Sequence, residues 1–209
     1  MSQRFSTDVL IIGGGAAGLA AALHLADSAR VTVLAKGEPA SGSSFWAQGG
    51  IAAVLDDADC FAFHEADTVK AGADLCDIET VRLMVREAPD VVRELSKWGV
   101  DFDKENNQLH LTMEGGHSHR RVAHVADATG REITQKLSEK VLDHHNIEIF
   151  HDRMAIDLIN LNKVNGYPSA CAGAHVLNTT TDRVEVFQAK AVVIATGGAS
   201  KVYLYTSNP

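Results

Sequence analysis

Two stretches of this chain have residue types and spacing suited to chemistry. The first is Gly13-Gly14-Gly15-Ala16-Ala17-Gly18, a G-x-G-x-x-G run with each glycine in register. Gly13 permits a tight turn, Gly15 lets backbone approach a pyrophosphate, and Gly18 lets a following helix pack closely on the preceding strand. A helix beginning near Ala16 would point its free N–H groups and positive dipole end at the same phosphates. The second stretch runs from Leu111 to Arg121, LTMEGGHSHRR, and is followed by Asp127-Ala128-Thr129-Gly130-Arg131. In it Glu114 precedes two glycines, two histidines (His117 and His119) and two arginines, with His124 beyond. Histidines at i and i+2 raise a metal site as one reading, but no nearby spacing resembles a standard zinc set. The other reading is a ligand-contacting loop, which suits a dense polar cluster between helices. On the residues alone, Glu114 reads as a surface carboxylate paired with Arg120 or Arg121.

These residues need elements to hold them. Asp8 to Ile12 is a short β-branched run that predicts a buried strand ending on Gly13. A helix follows from about Ala16 to Ala26, and Val31 to Ala35 supplies a second strand, which completes a βαβ unit. A glycine-rich turn alone is a weak signal, since such turns also occur without a ligand; the strand, helix and second strand make it a strong one. One feature departs from the pattern. Dinucleotide folds usually carry Asp or Glu at the end of the second strand to hold a ribose hydroxyl. Here that place holds Ala35-Lys36, and Glu38 lies too far along to substitute.

From Ser41 to Ala53 the chain reads SGSSFWAQGGIAA. It is too apolar for a disordered linker and too glycine-rich for a helix or central strand. Such a loop suits close wrapping of a flat cofactor by backbone amides and hydroxyls. The alternative is an ordinary surface loop, in which Phe45 and Trp46 would be costly to expose.

Further along, Phe61 to Gly72 and Ile78 to Gly99 predict helices. In the second, Val91, Val92, Leu95 and Trp98 share one face, Pro89 suits a first turn and Gly99 suits a stop. Trp98 reads as core. Ile133, Leu137 and Val141 mark another amphipathic helix. Ile147 to Phe150 predicts a strand, and three more, about 154–161, 171–178 and 183–189, are separated by turn signals including Asn165-Gly166 and Thr181-Asp182. Residues 191–195 then predict a buried parallel strand leading into Thr196-Gly197-Gly198, which repeats the logic of the first glycine run.

Composition narrows the function classes. At 209 residues and 45% apolar content the chain can bury a core, and a single domain over 1–209 is the expectation. A formal charge of −8 without a block of five or more like charges disfavours nucleic acid and anionic membranes as partners. Cys60, Cys76 and Cys171 are too few and too scattered for a disulfide framework, which suits a reducing cytoplasm. Val9 to Ala26 carries no formal charge and superficially suggests a signal or membrane segment, but three central glycines argue for a turn and Asp8 stands where a basic region would be.

DVLIIGGGAAGLAAAL, VTVLAKG and SGSSFWAQGGIAAV together resemble the flavoprotein subunits of succinate dehydrogenase and fumarate reductase and their soluble relatives, the L-aspartate oxidases. A lysine after the second strand is normal in that group. EGGHSHRR followed by DATGR resembles the L-aspartate oxidases in particular, and the resemblance runs over essentially all 209 residues.

The resemblance implies a Rossmann-like α/β FAD-binding domain with a parallel sheet, crossover helices and a small antiparallel β-meander. It also implies that the chain stops before a capping domain and a helical tail, so that residues 1–209 alone would be inactive. FAD would be held by Gly13, Gly14, Gly15, Ala16, Ala17 and Gly18, by Lys36, and by the run Ser43, Ser44, Phe45, Trp46, Ala47, Gln48, Gly49 and Gly50. Backbone of Met154 and Ala155 would contact the adenine, and Thr196, Gly197 and Gly198 would complete the cradle. Glu114 would face the substrate amino group.

The activity implied is oxidation of L-aspartate to iminoaspartate, with oxygen or fumarate as electron acceptor, as the first step toward quinolinate and NAD. Quinolinate synthase would then be a functional partner. The covalent flavin histidine of the succinate dehydrogenase and fumarate reductase subunits would align with Ser43, which implies non-covalent FAD and weighs against that branch. The remaining rival is a non-enzymatic FAD-binding module.

Overall fold

The computed structural model describes residues 3–38, 42–163 and 170–206. The Asn165-Gly166 turn and Ser41 lie outside the described residues. The chain forms two compact units, one from residues 1–45 and 134–209 and the other from residues 46–133.

The first unit is built on β1 (Arg4–Ile12), α1 (Ala16–Ala26) and β2 (Val31–Leu34). The chain returns through α5 (Thr129–Asp143), which starts within the second unit, and then forms β8 (Ile147–Phe150), β9 (Arg153–Asn160), β10 (Cys171–Asn178) and β11 (Arg183–Ile194). The sheet order is β8-β2-β1-β11-β10-β9. Its first four strands pair in parallel, and β10 and β9 add antiparallel. Parallel strands covered on both faces must be apolar throughout, and Val31, Val33 and Leu34 are buried, as are Leu10 and Ile11. Leu10, Ile12, Leu34, Ala174, Val176 and Phe187 form one core. Phe5 stacks on Phe187 at 4.5 Å, and Phe150 meets both edge-on. Leu137 and Val141 of α5 are fully buried and Ile133 nearly so, as the helical period predicts.

Two strand expectations are corrected. β1 begins at Arg4 rather than Asp8, because its polar first half pairs with Val186 to Ala189 of β11. The strands read as 183–189 and 191–195 are one continuous β11. Its first half lies between β10 and β1, but pairing with β10 stops at Gln188, so residues beyond pair with β1 alone. The end of this strand is accordingly not buried; Ile194 is 63% exposed. The Thr181-Asp182 turn is present, with Asp182 at φ 55°.

The second unit contains β3 (Ile51–Ala52), α3 (Phe61–Ala71), α4 (Ile78–Lys97), the hairpin β4 (Lys104–Glu105) and β5 (Gln108–Leu109), and β6 (Leu111–Thr112) and β7 (Val122–Ala123). β3, β7 and β6 form a small antiparallel sheet. Asp77 caps α4 by accepting from Thr80 N at 2.8 Å. At its other end Gly99, at φ 100°, closes a Schellman motif: Gly99 N–H donates to Ser96 and Val100 N–H to Leu95. Pro89 stands inside α4, not in a first turn, and is buried. It leaves the Val85 carbonyl without its helical donor, and burial of Val81, Val85, Val92 and Leu95 holds the helix through that defect. Val91 is 43% exposed, so the buried face is carried by Val92 and Leu95, with Trp98 half-buried.

The segment from 42 to 53 is not wholly loop. Ser43–Trp46 forms a single helical turn, α2, and Ile51–Ala52 is β3. One turn needs no long propensity run, so the glycines that follow it do not oppose it. Trp46 is 59% exposed in spite of its size. Among the described residues no helix is long and apolar enough to cross a membrane; Val9 to Ala26 is β1, a turn and α1.

Candidate functional site

The first glycine run is a backbone device. Gly13 has φ 124°, and a Cβ there would stand 2.2 Å from the Ala195 carbonyl oxygen at the end of β11. A Cβ on Gly18 would stand 1.9 Å from the Gly13 carbonyl oxygen. Neither position tolerates a side chain, so the turn and the helix start are as close as backbone allows. At Gly14 a Cβ would meet the Ala35 Cβ at 3.0 Å, so this position too has little room for a side chain. Lys36 beside it is exposed.

The end of α1 is suited to an anion. Its first turn carries no acidic residue, and Gly15, the N-cap, offers no side chain to satisfy the free N–H groups. Ser44 Oγ accepts from Ala16 N at 3.2 Å, which brings the hydroxyl to the same helix end. Thr196, Gly197 and Gly198 follow β11 beside this turn: Ala195 N donates to Ile12 O at 2.8 Å, and Gly197 has φ 68°. A tight glycine turn, a helix start with no cap from Gly15 and an added serine hydroxyl fit a pyrophosphate. Met154 and Ala155 lie on β9 opposite Leu177 and Val176, with Ala155 packed against the sheet core.

In the second unit, Ala47, Gln48 and Gly49 are exposed, and Gly50 is held tightly, since a Cβ there would meet the Ala123 carbonyl at 2.2 Å. The Glu114 segment joins β6 to β7. His117 N donates to Glu114 O at 3.2 Å across a turn in which Gly116 has φ 89°. Glu114 is exposed and flanks Gly49, where a Cβ would lie 3.7 Å from Glu114 Oε2.

The arginines do not serve Glu114. Among the described residues neither Arg120 nor Arg121 forms an ion pair with it. Arg120 is exposed, with Nη1 3.4 Å from Leu111 O. Arg121 is fully buried: Nε and Nη2 donate to the two Asp59 oxygens at 2.8 and 2.9 Å, and Nη1 donates to Asp67 Oδ2 at 2.7 Å. A buried guanidinium needs such partners, and two carboxylates supply them. Burial pushes both carboxyl groups up, but this is outweighed. Arg121, the Cys60 N–H and nearby His119 hold Asp59 below its ordinary 3.8, and Ser118 with Arg121 holds Asp67 at about 2. His64, buried beside His117, is pushed down by burial first and by Arg121 next. Asp59, Asp67 and His64 were not singled out from sequence. Their partner stands 62 and 54 residues away for Asp59 and Asp67, and only acidic positions flanking and on α3 hinted at them.

His110, His124 and Asp103 form a separate chain: His110 Nδ1 to His124 Nε2 is 3.1 Å, and His124 Nδ1 to Asp103 Oδ2 is 3.3 Å. Among the described residues no three His, Cys, Asp or Glu side chains are grouped to hold a metal.

The FAD binding domain family model matches residues 8–209. The chain is similar to L-aspartate oxidases of Pseudomonas aeruginosa (49% identity, covering 100% of this chain and 40% of that protein) and Yersinia pestis (50%, 100% and 40%). It therefore spans about 40% of the length of these relatives. Among solved structures it is similar to the Mycobacterium smegmatis Sdh1 complex (TM-score 0.90, 32% identity, 99% of this chain and 37% of that one). An E. coli quinol fumarate reductase gives a TM-score of 0.90 at 31% identity, over 99% of this chain and 35% of that one. The chain belongs to the FAD-binding domain family, and FAD is its cofactor.

Proposed function

We propose that the whole protein oxidises L-aspartate to iminoaspartate with non-covalently bound FAD, passing electrons to oxygen or fumarate. The observation that carries this is the exposed Glu114 turn, whose EGGHSHRR sequence resembles that of the L-aspartate oxidases and whose glutamate is free of arginine partners among the described residues. Conversion of an α-amino acid to its imine removes a hydride equivalent from Cα and a proton from nitrogen. FAD, when bound, supplies the two-electron acceptor. The chain's own part is to bind and orient. Gly13 to Gly18 and Ser44 hold the pyrophosphate end, and the Glu114 carboxylate accepts from the substrate amino group. Cytoplasmic location and a functional link to quinolinate synthase follow from the same reading.

Glu114→Gln in the whole protein keeps the shape and removes the charge. L-aspartate turnover should fall at least tenfold, roughly the 1.4 kcal/mol of one charge-assisted contact. Fumarate reduction should suffer much less, because fumarate has no amine. Equal losses for both substrates would sink the role of Glu114 in specificity.

The cofactor's attachment has its own test. Ser43 stands where the resemblance aligns a flavin-linking histidine, and a serine hydroxyl makes no such link. Acid precipitation should release all the flavin to the supernatant. Yellow colour staying with the pellet would show a covalent bond.

A further inference from the structure

The Glu114 turn has little of its own to hold it. Met113, Glu114, Gly115 and Gly116 are exposed, a Cβ on Gly115 would meet nothing within 4 Å, and one on Gly116 would only graze Ala71 at 3.9 Å. Among the described residues the Glu114 carboxylate has no hydrogen-bonding or ionic partner. Where its side chain starts is therefore set by the backbone alone, and the backbone is fixed at the two ends of the loop. One end is the β6–β7 ladder, where Arg121 N donates to Thr112 O at 3.1 Å.

The other anchor is Ser118, one residue past the turn. Both its donors converge on a single acceptor: Ser118 N and Ser118 Oγ each lie 2.7 Å from Asp67 Oδ2. Arg121 Nη1 reaches the same oxygen at 2.7 Å and is itself locked by Asp59. Asp67 belongs to α3, a helix that supplies a rigid base. The side-chain protons agree with this arrangement. The one Ser118 hydroxyl proton is given to the carboxylate, so Ser118 Oγ can only accept from His119 Nδ1, 2.9 Å away. His119 thereby carries its proton on Nδ1 and stacks on Phe63 of the same helix at 4.7 Å. His117, receiving Arg121 Nη1 on its own Nδ1 at 3.4 Å, is held in the opposite tautomer.

We propose that Asp67 is the positioning residue of the Glu114 turn: through Ser118 it fixes where the Glu114 carboxylate stands. This rests on the reading of Glu114 given above. Asp67 touches no substrate; it acts by removing the freedom of the loop that carries the group that does. Misplacement of a binding group by about 1 Å can cost on the order of a hundredfold in rate, so a loosened turn should be visible in turnover.

The test uses the whole, flavin-loaded protein with Asp67→Ala, Asp67→Asn, Ser118→Ala and, in parallel, Glu114→Gln. Two readouts are taken: steady-state kinetics with L-aspartate and with fumarate, and hydrogen–deuterium exchange of peptides spanning 113–119. Asp67→Ala should speed exchange in that segment and lower kcat/KM for L-aspartate roughly tenfold, within the range set by misplacement, with a much smaller effect on fumarate reduction. Asp67→Asn keeps an oxygen acceptor in place and should restore most of both. Ser118→Ala leaves the Asp67–Arg121 pair intact and should give an intermediate effect, which keeps the test open if Asp67→Ala fails to fold. Unchanged exchange in both Asp67→Ala and Ser118→Ala would overturn the proposal whatever Glu114 does. Faster exchange with normal L-aspartate kinetics, while Glu114→Gln is impaired, would overturn it alone. If Glu114→Gln and Asp67→Ala are both silent in turnover, the Glu114 reading falls and takes this inference with it.

Discussion

Gly18→Ala is expected to strip the protein of flavin. The added Cβ would sit 1.9 Å from the Gly13 carbonyl oxygen and 3.4 Å from Ile11 Cγ2, and backbone cannot yield as a flexible side chain does. Gly13 cannot retreat either, because its own α-hydrogen side faces the Ala195 carbonyl, 2.2 Å from where a Cβ would stand. The helix start must therefore move away from β1, and with it the N–H groups that face the phosphates. Overpacking of this kind costs up to about 3 kcal/mol, which alone corresponds to roughly a hundredfold weaker FAD binding. Gly42→Ala is the matched control, since a Cβ there meets nothing within 4 Å. Flavin absorbance per protein, measured after gel filtration, should fall to background for Gly18→Ala and stay at the parent value for Gly42→Ala. Full flavin occupancy in Gly18→Ala would mean that the cofactor does not depend on this turn.

The glycine cradle was legible because the constraint is carried by residue identity. Only glycine can occupy Gly13 at φ 124° with a carbonyl at its back, so the residue reports the geometry. The helices were legible for a related reason. Ile133, Leu137 and Val141 repeat with the helical period, and all three are buried. β11 was misread as two strands because its pattern changes at Ala189-Lys190, from alternation to a continuous apolar run. The change reflects neighbours, not a break. The first half has β10 on one side and β1 on the other, and the second half has β1 alone. Pro89 was misplaced because a local rule about proline was given more weight than the burial that carries α4 through it.

The Glu114 turn was found from sequence, but its surroundings were not. Two adjacent arginines invited pairing with the nearest carboxylate, and the fold assigns Arg121 elsewhere. A β-strand sends successive side chains to opposite faces. Arg121, next to the strand Val122–Ala123, goes inward to Asp59 and Asp67, whereas Arg120 remains exposed. Sequence distance hid both partners, and neither carries a spacing signal that would single it out from other acidic residues around α3.

That buried network should dominate the stability of the second unit. Asp59→Ala removes the bidentate partner of a fully buried guanidinium and leaves Arg121 Nε and Nη2 without acceptors, while Asp67 still holds Nη1. Breaking a buried pair from one side typically costs about 3–5 kcal/mol, because the surviving charge stays desolvated. The exposed pair of Asp101 with Lys104 makes the contrast. Its side chains are 82% and 54% exposed, and Asp101→Ala should barely move the unfolding midpoint. Acid should act on the same network with a definite sign. Asp67 is held at about 2 in the folded protein against an ordinary 3.8, so its contribution is complete above 3.8 and is lost as pH falls toward 2. Chemical denaturation of the whole protein followed by far-UV circular dichroism, at neutral pH and through the acid range, reads both effects. Asp59→Ala should unfold at much lower denaturant, and Asp67→Asn should flatten the acid dependence between 4 and 2. The Asp59→Ala transition should also be little altered by salt, since a buried charge is poorly screened. A midpoint equal to that of Asp101→Ala would mean that water or another group satisfies Arg121, and that the second unit does not depend on this pair.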